Sequence, residues 1–158
     1  MAETLGSLID KLAIKDLREY HLREMRKEKN KKFSSREIEN KLNVLQEQKR
    51  KLIHESERFI AGAIKGDVLL KDEKLKLYNP CEVIGKIPPV ENLGEAISYL
   101  SNKNAELWHL EDEARRNDVS LSFIGKIKKK IDLANQQRND FIDKIDELFE
   151  KMIRKYKR

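Results

Sequence analysis

The sequence predicts an all-α fold: a four-helix bundle built from two duplicated antiparallel αα-hairpins with a long, partly extended crossover between them. Three observations lead to this prediction. Charged residues make up 39% of the 158 residues and aromatic residues only 6%, a balance typical of well-solvated helices. Four segments carry apolar residues at three- and four-residue steps, as buried helical faces do. The last two of these segments repeat features of the first two.

The first hairpin shows clear helix start signals. Thr4 lies where its hydroxyl can accept a hydrogen bond from the first turn, so we expect a helix from about residue 5 to about residue 29. Ser34 and Glu37 form a capping box that starts the second helix, and Gly62 and Gly66 are expected to stop it. The apolar spacing predicts these buried residues: Leu5, Leu8, Ile9, Leu12, Tyr20, Met25, Leu42, Leu45, Leu52, Ile53, Phe59 and Ile60.

The second half repeats the first at an offset of about 88 residues. The residues that match are Leu93, Gly94, Ile97, Leu100, Trp108 and His109 with Leu5, Gly6, Ile9, Leu12, Tyr20 and His21. After a break at residues 117–120, a fourth helix is expected to run almost to the C-terminus. We therefore predict one helical domain, 1–158, with an internal repeat of residues 4–63 and 92–156. A crossover, 64–91, forms a small hairpin or an extended segment over one side of the bundle.

Polar residues on the predicted core faces form the first candidate site. At about 100° per residue, Asn104 and Glu111 share the apolar face of the third helix, and Asn135 and Arg138 that of the fourth. Buried charges are costly without partners, so we expect Glu111 and Arg138 to form a bidentate ion pair. With the corresponding residues of the first half, the predicted layer comprises Asp16, Arg23, Lys49, Asn104, Glu111, Asn135 and Arg138. It either fixes helix register or forms a ligand or active site between the helices.

A second set of polar residues lies on a flank away from the core: His21, His109, Asp112, Asp140 and Asp143. Such residues usually form a solvated surface, and our leading prediction includes no metal or cofactor. The alternative is a Mg²⁺ site with Glu111, Asp112, Asp140 and Asp143 as oxygen ligands, serving hydrolysis of nucleotides or sugar nucleotides.

The charge and apolar content limit the partners. The net charge of +6 comes mainly from two basic clusters without aromatic stacking platforms, so nucleic acid is not an expected partner. No apolar run reaches the roughly 20 residues of a membrane span. The single Cys81 allows no internal disulfide, which favours a cytoplasmic protein. We expect a protein partner or a homodimer.

Two motifs resemble those of a known family. Residues 108–115 read Trp-His-Leu-Glu-Asp-Glu-Ala-Arg, and residues 135–140 read Asn-Gln-Gln-Arg-Asn-Asp. Together they resemble a bacterial family called domain of unknown function 4254. The resemblance implies a bacterial, mostly helical protein of uncharacterised activity, loosely associated with cell-envelope sugar transfer. The leading functional prediction is a non-enzymatic interaction or accessory module. The alternative is a Mg²⁺-dependent nucleotide or sugar-nucleotide hydrolase, or a small-anion-binding bundle that uses the inward polar layer.

Overall fold

The predicted all-α bundle is confirmed. The computed structural model describes residues 3–28, 32–71 and 87–157. These ranges contain four α-helices and no strand: α1 (Leu5–Lys27), α2 (Ser35–Lys65), α3 (Leu93–Ala114) and α4 (Leu121–Tyr156). Helix α1 packs against each of the other three, and α3 packs along α4. None of the described helices combines the length and the apolar character needed to cross a membrane.

Local hydrogen bonds set the helix ends, and both predicted N-caps are confirmed. Thr4 and Ser7 form a capping box at the start of α1, and Ser34 and Glu37 form another at the start of α2. Gly66 ends α2 in a left-handed conformation with φ 89°. The prediction that Gly62 also stops α2 is wrong. Gly62 lies inside the helix, where an added Cβ would come within 2.7 Å of a Val68 methyl group.

A polar level divides the apolar core into two clusters. The larger one joins all four helices and includes Leu8, Phe59 and Leu100. The smaller one lies between α3 and α4 and contains Leu107, Ile127, Ile131 and Ala134. On α3 the buried Asn104 separates Leu100 from Leu107, and on α4 Arg138 separates Ala134 from Phe141. The candidate site therefore lies where the core is interrupted.

Several predicted core residues are exposed. Tyr20, Ile53 and Ile60 expose 60%, 45% and 38% of their surface. Ile53 and Ile60 are exposed because α2 packs mainly against α1, so that only one narrow stripe of α2 is covered. Of the predicted crossover, residues 67–71 and 87–91 are non-helical. Residues 72–86 lie outside the described ranges, so the expected hairpin stays a prediction, as does the internal repeat.

The start of α1 lies directly against α4 at Gly6. The Gly6 amide donates a 2.7 Å hydrogen bond to Oδ1 of the buried Asp146. A Cβ on Gly6 would clash with the carbonyl oxygen of Ile142. Gly94, its counterpart in the proposed repeat, has nothing within 3.8 Å of an added Cβ. The two glycines therefore have different roles despite their matching positions.

We predict that Gly6→Ala and Gly94→Ala have opposite effects. Gly6→Ala should lower the free energy of unfolding by about 1–3 kcal/mol, because α1 must move away from the α4 backbone. Gly94→Ala should raise it by about 0.4–1 kcal/mol, because it only restricts the unfolded chain. Urea unfolding of both variants measures the difference. Equal losses of stability would show that the contact between Gly6 and α4 is not as tight as described.

Candidate functional site

A buried carboxylate, Asp10, connects three helices. Asp10 is 4% exposed and lies on α1. Arg138 of α4 donates to it with two nitrogens, Nε at 2.8 Å from Oδ1 and Nη2 to Oδ2. Asn104 of α3 donates a third hydrogen bond, with Nδ2 at 2.9 Å from Oδ1. The hydrogen bonds to Asp10 raise the pKa of Arg138, so the guanidinium keeps its positive charge.

A groove of about 390 Å³ lies beside this cluster, between α1, α3 and α4. That volume falls in the range of small-molecule sites. We call it the α1–α3–α4 groove. Its walls combine four apolar side chains with guanidinium, amide and carboxylate groups. The lining residues are Ile14, Leu17, Arg18, Asn104, Leu107, Trp108, Glu111, Arg115, Asn135 and Arg138.

Several hydrogen-bonding groups in the groove have no protein partner in the described part of the chain. Arg138 uses Nε and Nη2 for Asp10, which leaves Nη1 without one. The Asn135 amide and the Arg18 guanidinium are likewise unpaired with any described residue. The described chain has no buried side-chain nitrogen or oxygen that lacks a hydrogen bond, so the free groups of Arg138 and Asn135 reach accessible space. They are available to a ligand.

The predicted ion pair between Glu111 and Arg138 is wrong. Both residues line the groove, but the Glu111 side chain is 49% exposed and lies 3.9 Å from Arg115 Nη2. Arg115 also lies 3.3 Å from Asp112. Asp10 takes the place expected for Glu111, because it is the carboxylate at the buried end of the Arg138 side chain. Of the expected residues in the second half, Asn104, Glu111, Asn135 and Arg138 do meet at one groove.

Trp108, which lines the groove, belongs to an aromatic cluster. The Trp108 indole lies parallel to the His21 imidazole, with ring centroids 4.4 Å apart and an interplanar angle of 5°. The His109 ring meets His21 edge-on at 6.4 Å, and Tyr20 does so at 5.4 Å. His21 is half-buried, whereas His109 is exposed. His21 covers one face of the indole, and Trp108 is also a lining residue of the groove.

The expected first-half members of the layer lie elsewhere. Lys49 of α2 lies 2.6 Å from Asp16 and 2.6 Å from Glu19, and Arg23 lies 2.6 Å from Glu19. These residues form a partly buried ion-pair network between α1 and α2. The prediction that seven residues form a single polar layer is therefore wrong. The side of α1 that faces α2 differs from the side that faces α3 and α4, so the two polar groups cannot merge.

The four carboxylates expected as Mg²⁺ ligands do not form a metal site. Glu111 and Asp112 are exposed on α3 and lie near Arg115, while Asp140 and Asp143 are half-buried on α4 and have other interactions. Within the described ranges, no three His, Cys, Asp or Glu side chains come together in a way that could hold a metal ion. This arrangement corrects the alternative metal assignment.

Asp10 is not among the residues predicted for the polar layer, although the sequence contains a signal for it. Gly6, Asp10, Ile14 and Leu17 follow one another at helical steps and form a second stripe on α1, beside the stripe of Leu5, Leu8 and Leu12. A helix with two such stripes is covered on two sides. The acidic residue in the second stripe would then be expected to be buried and paired.

We predict that Asp10→Ala lowers the free energy of unfolding by about 3–5 kcal/mol, because it leaves the half-buried Arg138 without its partner. Glu111→Ala, on the same groove but exposed, should change it by less than about 0.5 kcal/mol. Chemical denaturation of the two variants provides the comparison. A large loss for Glu111→Ala would show that Glu111, and not Asp10, is the buried carboxylate.

The ion-pair network between α1 and α2 predicts a pH dependence. Hydrogen bonds from Lys49 and then Arg23 lower the pKa of Glu19 below its ordinary value of 4.5. The contribution of Glu19 to the free energy of unfolding is therefore complete above pH 4.5. It is lost as the pH falls through the pKa of Glu19 in the folded state. Glu19→Gln should lower the melting temperature at pH 7, and its difference from the unmodified protein should shrink below pH 4.5. Glu57→Gln, an exposed control on α2, should show little difference at either pH. A difference for Glu19→Gln that is independent of pH would contradict this assignment.

Comparison with known proteins identifies a family and no individual relative. No curated protein and no solved structure matches the chain. A family model described as "Protein of unknown function (DUF4254)" matches residues 1–71 and 95–158. The matched residues include all ten that line the groove and Asp10. The chain therefore belongs to the DUF4254 family.

Proposed function

We propose that this chain is a non-enzymatic accessory or interaction module that binds a small organic anion in the α1–α3–α4 groove. One observation carries the proposal. Arg18, Asn135 and the Nη1 group of Arg138, none of which has a partner for these groups among the described residues, line the same cavity of about 390 Å³. Guanidinium and amide donors of this kind are the usual recognition groups for carboxylates and phosphates.

The contact with Asp10 supports the proposal because it holds Arg138 in place. Two hydrogen bonds fix the plane of the guanidinium, and the carboxylate that accepts them is itself held by Asn104. An arginine ordered in this way loses little side-chain freedom when a ligand binds, so more of the interaction energy appears as affinity. Asp10 thus acts as a positioning residue for the groove.

The two sequence motifs also converge on the groove. Trp108, Glu111 and Arg115 come from the first motif, and Asn135 and Arg138 from the second. They supply donors and an apolar wall, which favour binding of an anion. The alternative hydrolase required a group of carboxylates around Mg²⁺, and no three of the described His, Cys, Asp or Glu side chains form a group that could hold a metal ion. We therefore propose binding and not hydrolysis.

The cellular role remains a prediction. We retain an accessory role in cell-envelope sugar transfer, which the family resemblance implies, and the expected cytoplasmic location. We also retain a protein partner or homodimer. Ile53, Ile60 and Ile64 are exposed and share one face of α2, which supports a contact with another protein.

We predict that a panel of carboxylates, phosphate monoesters, nucleotides and sugar nucleotides, tested with and without Mg²⁺, contains at least one ligand of this groove. Trp108 is the only tryptophan of the chain, so its fluorescence reports occupancy directly. A bound ligand should also raise the melting temperature. Asn135→Ala should weaken binding about threefold to tenfold by removing one hydrogen bond. Asn102→Ala, an exposed control on α3, should not weaken it.

Two results would contradict the proposed function. One is a complete panel in which no compound changes the fluorescence or the melting temperature. The other is a ligand whose affinity is the same in Asn135→Ala and in the unmodified protein, because such a ligand binds outside the groove. Release of phosphate or of a nucleoside monophosphate in the same assay would favour the hydrolase instead.

A further inference from the structure

We infer that the ligand of the α1–α3–α4 groove is an organic monocarboxylate with an apolar body, and not a phosphate ester or a nucleotide. This inference rests on the proposed function and narrows it to one ligand class. It follows from the balance of charges around the groove and from the division of its walls into polar and apolar parts.

The charges around the groove favour a ligand with no more than one negative charge, because three carboxylates, Asp10, Asp112 and Glu111, already match the three lining arginines in number. Three guanidinium groups line the groove, but Arg138 is paired with Asp10, and Arg115 lies near Asp112 and Glu111. Arg18 is the one lining arginine that forms no ion pair with a described residue, and it also borders a second groove between α1 and α2. A single carboxylate would neutralise it. A doubly charged phosphate would leave one negative charge without a cationic partner.

Glu111 opposes any additional negative charge. Its carboxylate lines the same groove and has only a loose contact with Arg115, at 3.9 Å. The negative charges of a di- or triphosphate would lie in the same confined volume as this carboxylate. Like charges at short range are repulsive, and a partly enclosed groove screens that repulsion less than bulk water does.

The donors suit a carboxylate. Arg138 Nη1 and the Asn135 amide supply accessible hydrogen-bond donors without adding an uncompensated charge, since Asp10 already balances Arg138. Arg18 supplies the charge. A planar carboxylate has two oxygens and accepts hydrogen bonds from such groups. No further cation is needed to complete this recognition.

The apolar wall of the groove favours a ligand with an apolar body. Ile14, Leu17, Leu107 and Trp108 line the groove beside the polar groups. Burial of an apolar ligand surface against them is favourable, and an aromatic ring would gain further from contact with the indole. A small inorganic anion would leave this wall in contact with water.

The test uses three probes that share a phenyl ring: phenylacetate, phenylacetamide and phenyl phosphate. Isothermal titration calorimetry and Trp108 fluorescence at pH 8 measure their affinities, with ADP as a fourth probe. We expect phenylacetate to bind, phenylacetamide to bind at least about tenfold more weakly because it lacks the charge, and the two phosphates to bind more weakly than phenylacetate.

Two arginine variants test whether Arg18 supplies the positive charge that the carboxylate contacts. Arg18→Gln should reduce the affinity for phenylacetate about tenfold and should leave the melting temperature unchanged, because Arg18 has no hydrogen bond or ion pair within the described ranges. Arg23→Gln removes the same charge from the same helix outside the groove, so it should retain the full affinity. Equal losses in both variants would indicate non-specific attraction and overturn the inference.

The outcomes separate this inference from the proposed function. If phenyl phosphate or ADP binds more tightly than phenylacetate and the binding depends on Asn135, the groove is an anion site and the inference is wrong. Equal binding of phenylacetate and phenylacetamide also overturns it. If no compound of this set or of the wider panel binds, both the inference and the proposed function fail.

Discussion

The buried carboxylate of Asp10 is the constraint on which the rest of the structure depends. An ionised group at this depth is stable only when hydrogen bonds replace the water that it has lost. Arg138 and Asn104 provide those bonds from two other helices. The requirement therefore fixes the relative positions of α1, α3 and α4 at one level of the bundle. It also holds Arg138 in the orientation that leaves one of its nitrogens accessible.

The same polar level explains why a groove lies at this point. On the side of the polar level towards the start of α1, this helix lies directly against α4, and the Gly6 amide donates a hydrogen bond to Asp146. On the side towards the end of α1, the groove is lined by Ile14, Leu17 and Arg18. Apolar clusters on either side hold the helices together, so the bundle tolerates an interruption between them. The same polar level therefore separates the tight contact with α4 at the start of α1 from the groove near the end of α1.

Residues that the predicted internal repeat would align have different surroundings in the structure. Gly6 and Gly94 match in position, yet only Gly6 contacts another helix closely. Tyr20 matches Trp108, yet Tyr20 is mainly exposed while Trp108 lines the groove. Lys49 lies 89 residues before Arg138, close to the same offset, yet Lys49 bonds to the side of α1 that faces α2. Helix α1 contacts all three other helices and α2 packs mainly against α1, so equivalent residues meet different neighbours.

The sequence by itself determined the four helices, their starts and most of their buried stripes. Capping boxes, such as that of Ser34 and Glu37, and apolar spacing act over a few residues, so they can be recognised locally. It also indicated that Asn104, Glu111, Asn135 and Arg138 point towards a common region. Only the tertiary structure decided that Asp10 pairs with Arg138 and that Glu111 is exposed. Those outcomes depend on how α1 lies against helices that begin more than 80 residues later in the chain, and helical periodicity does not contain that information.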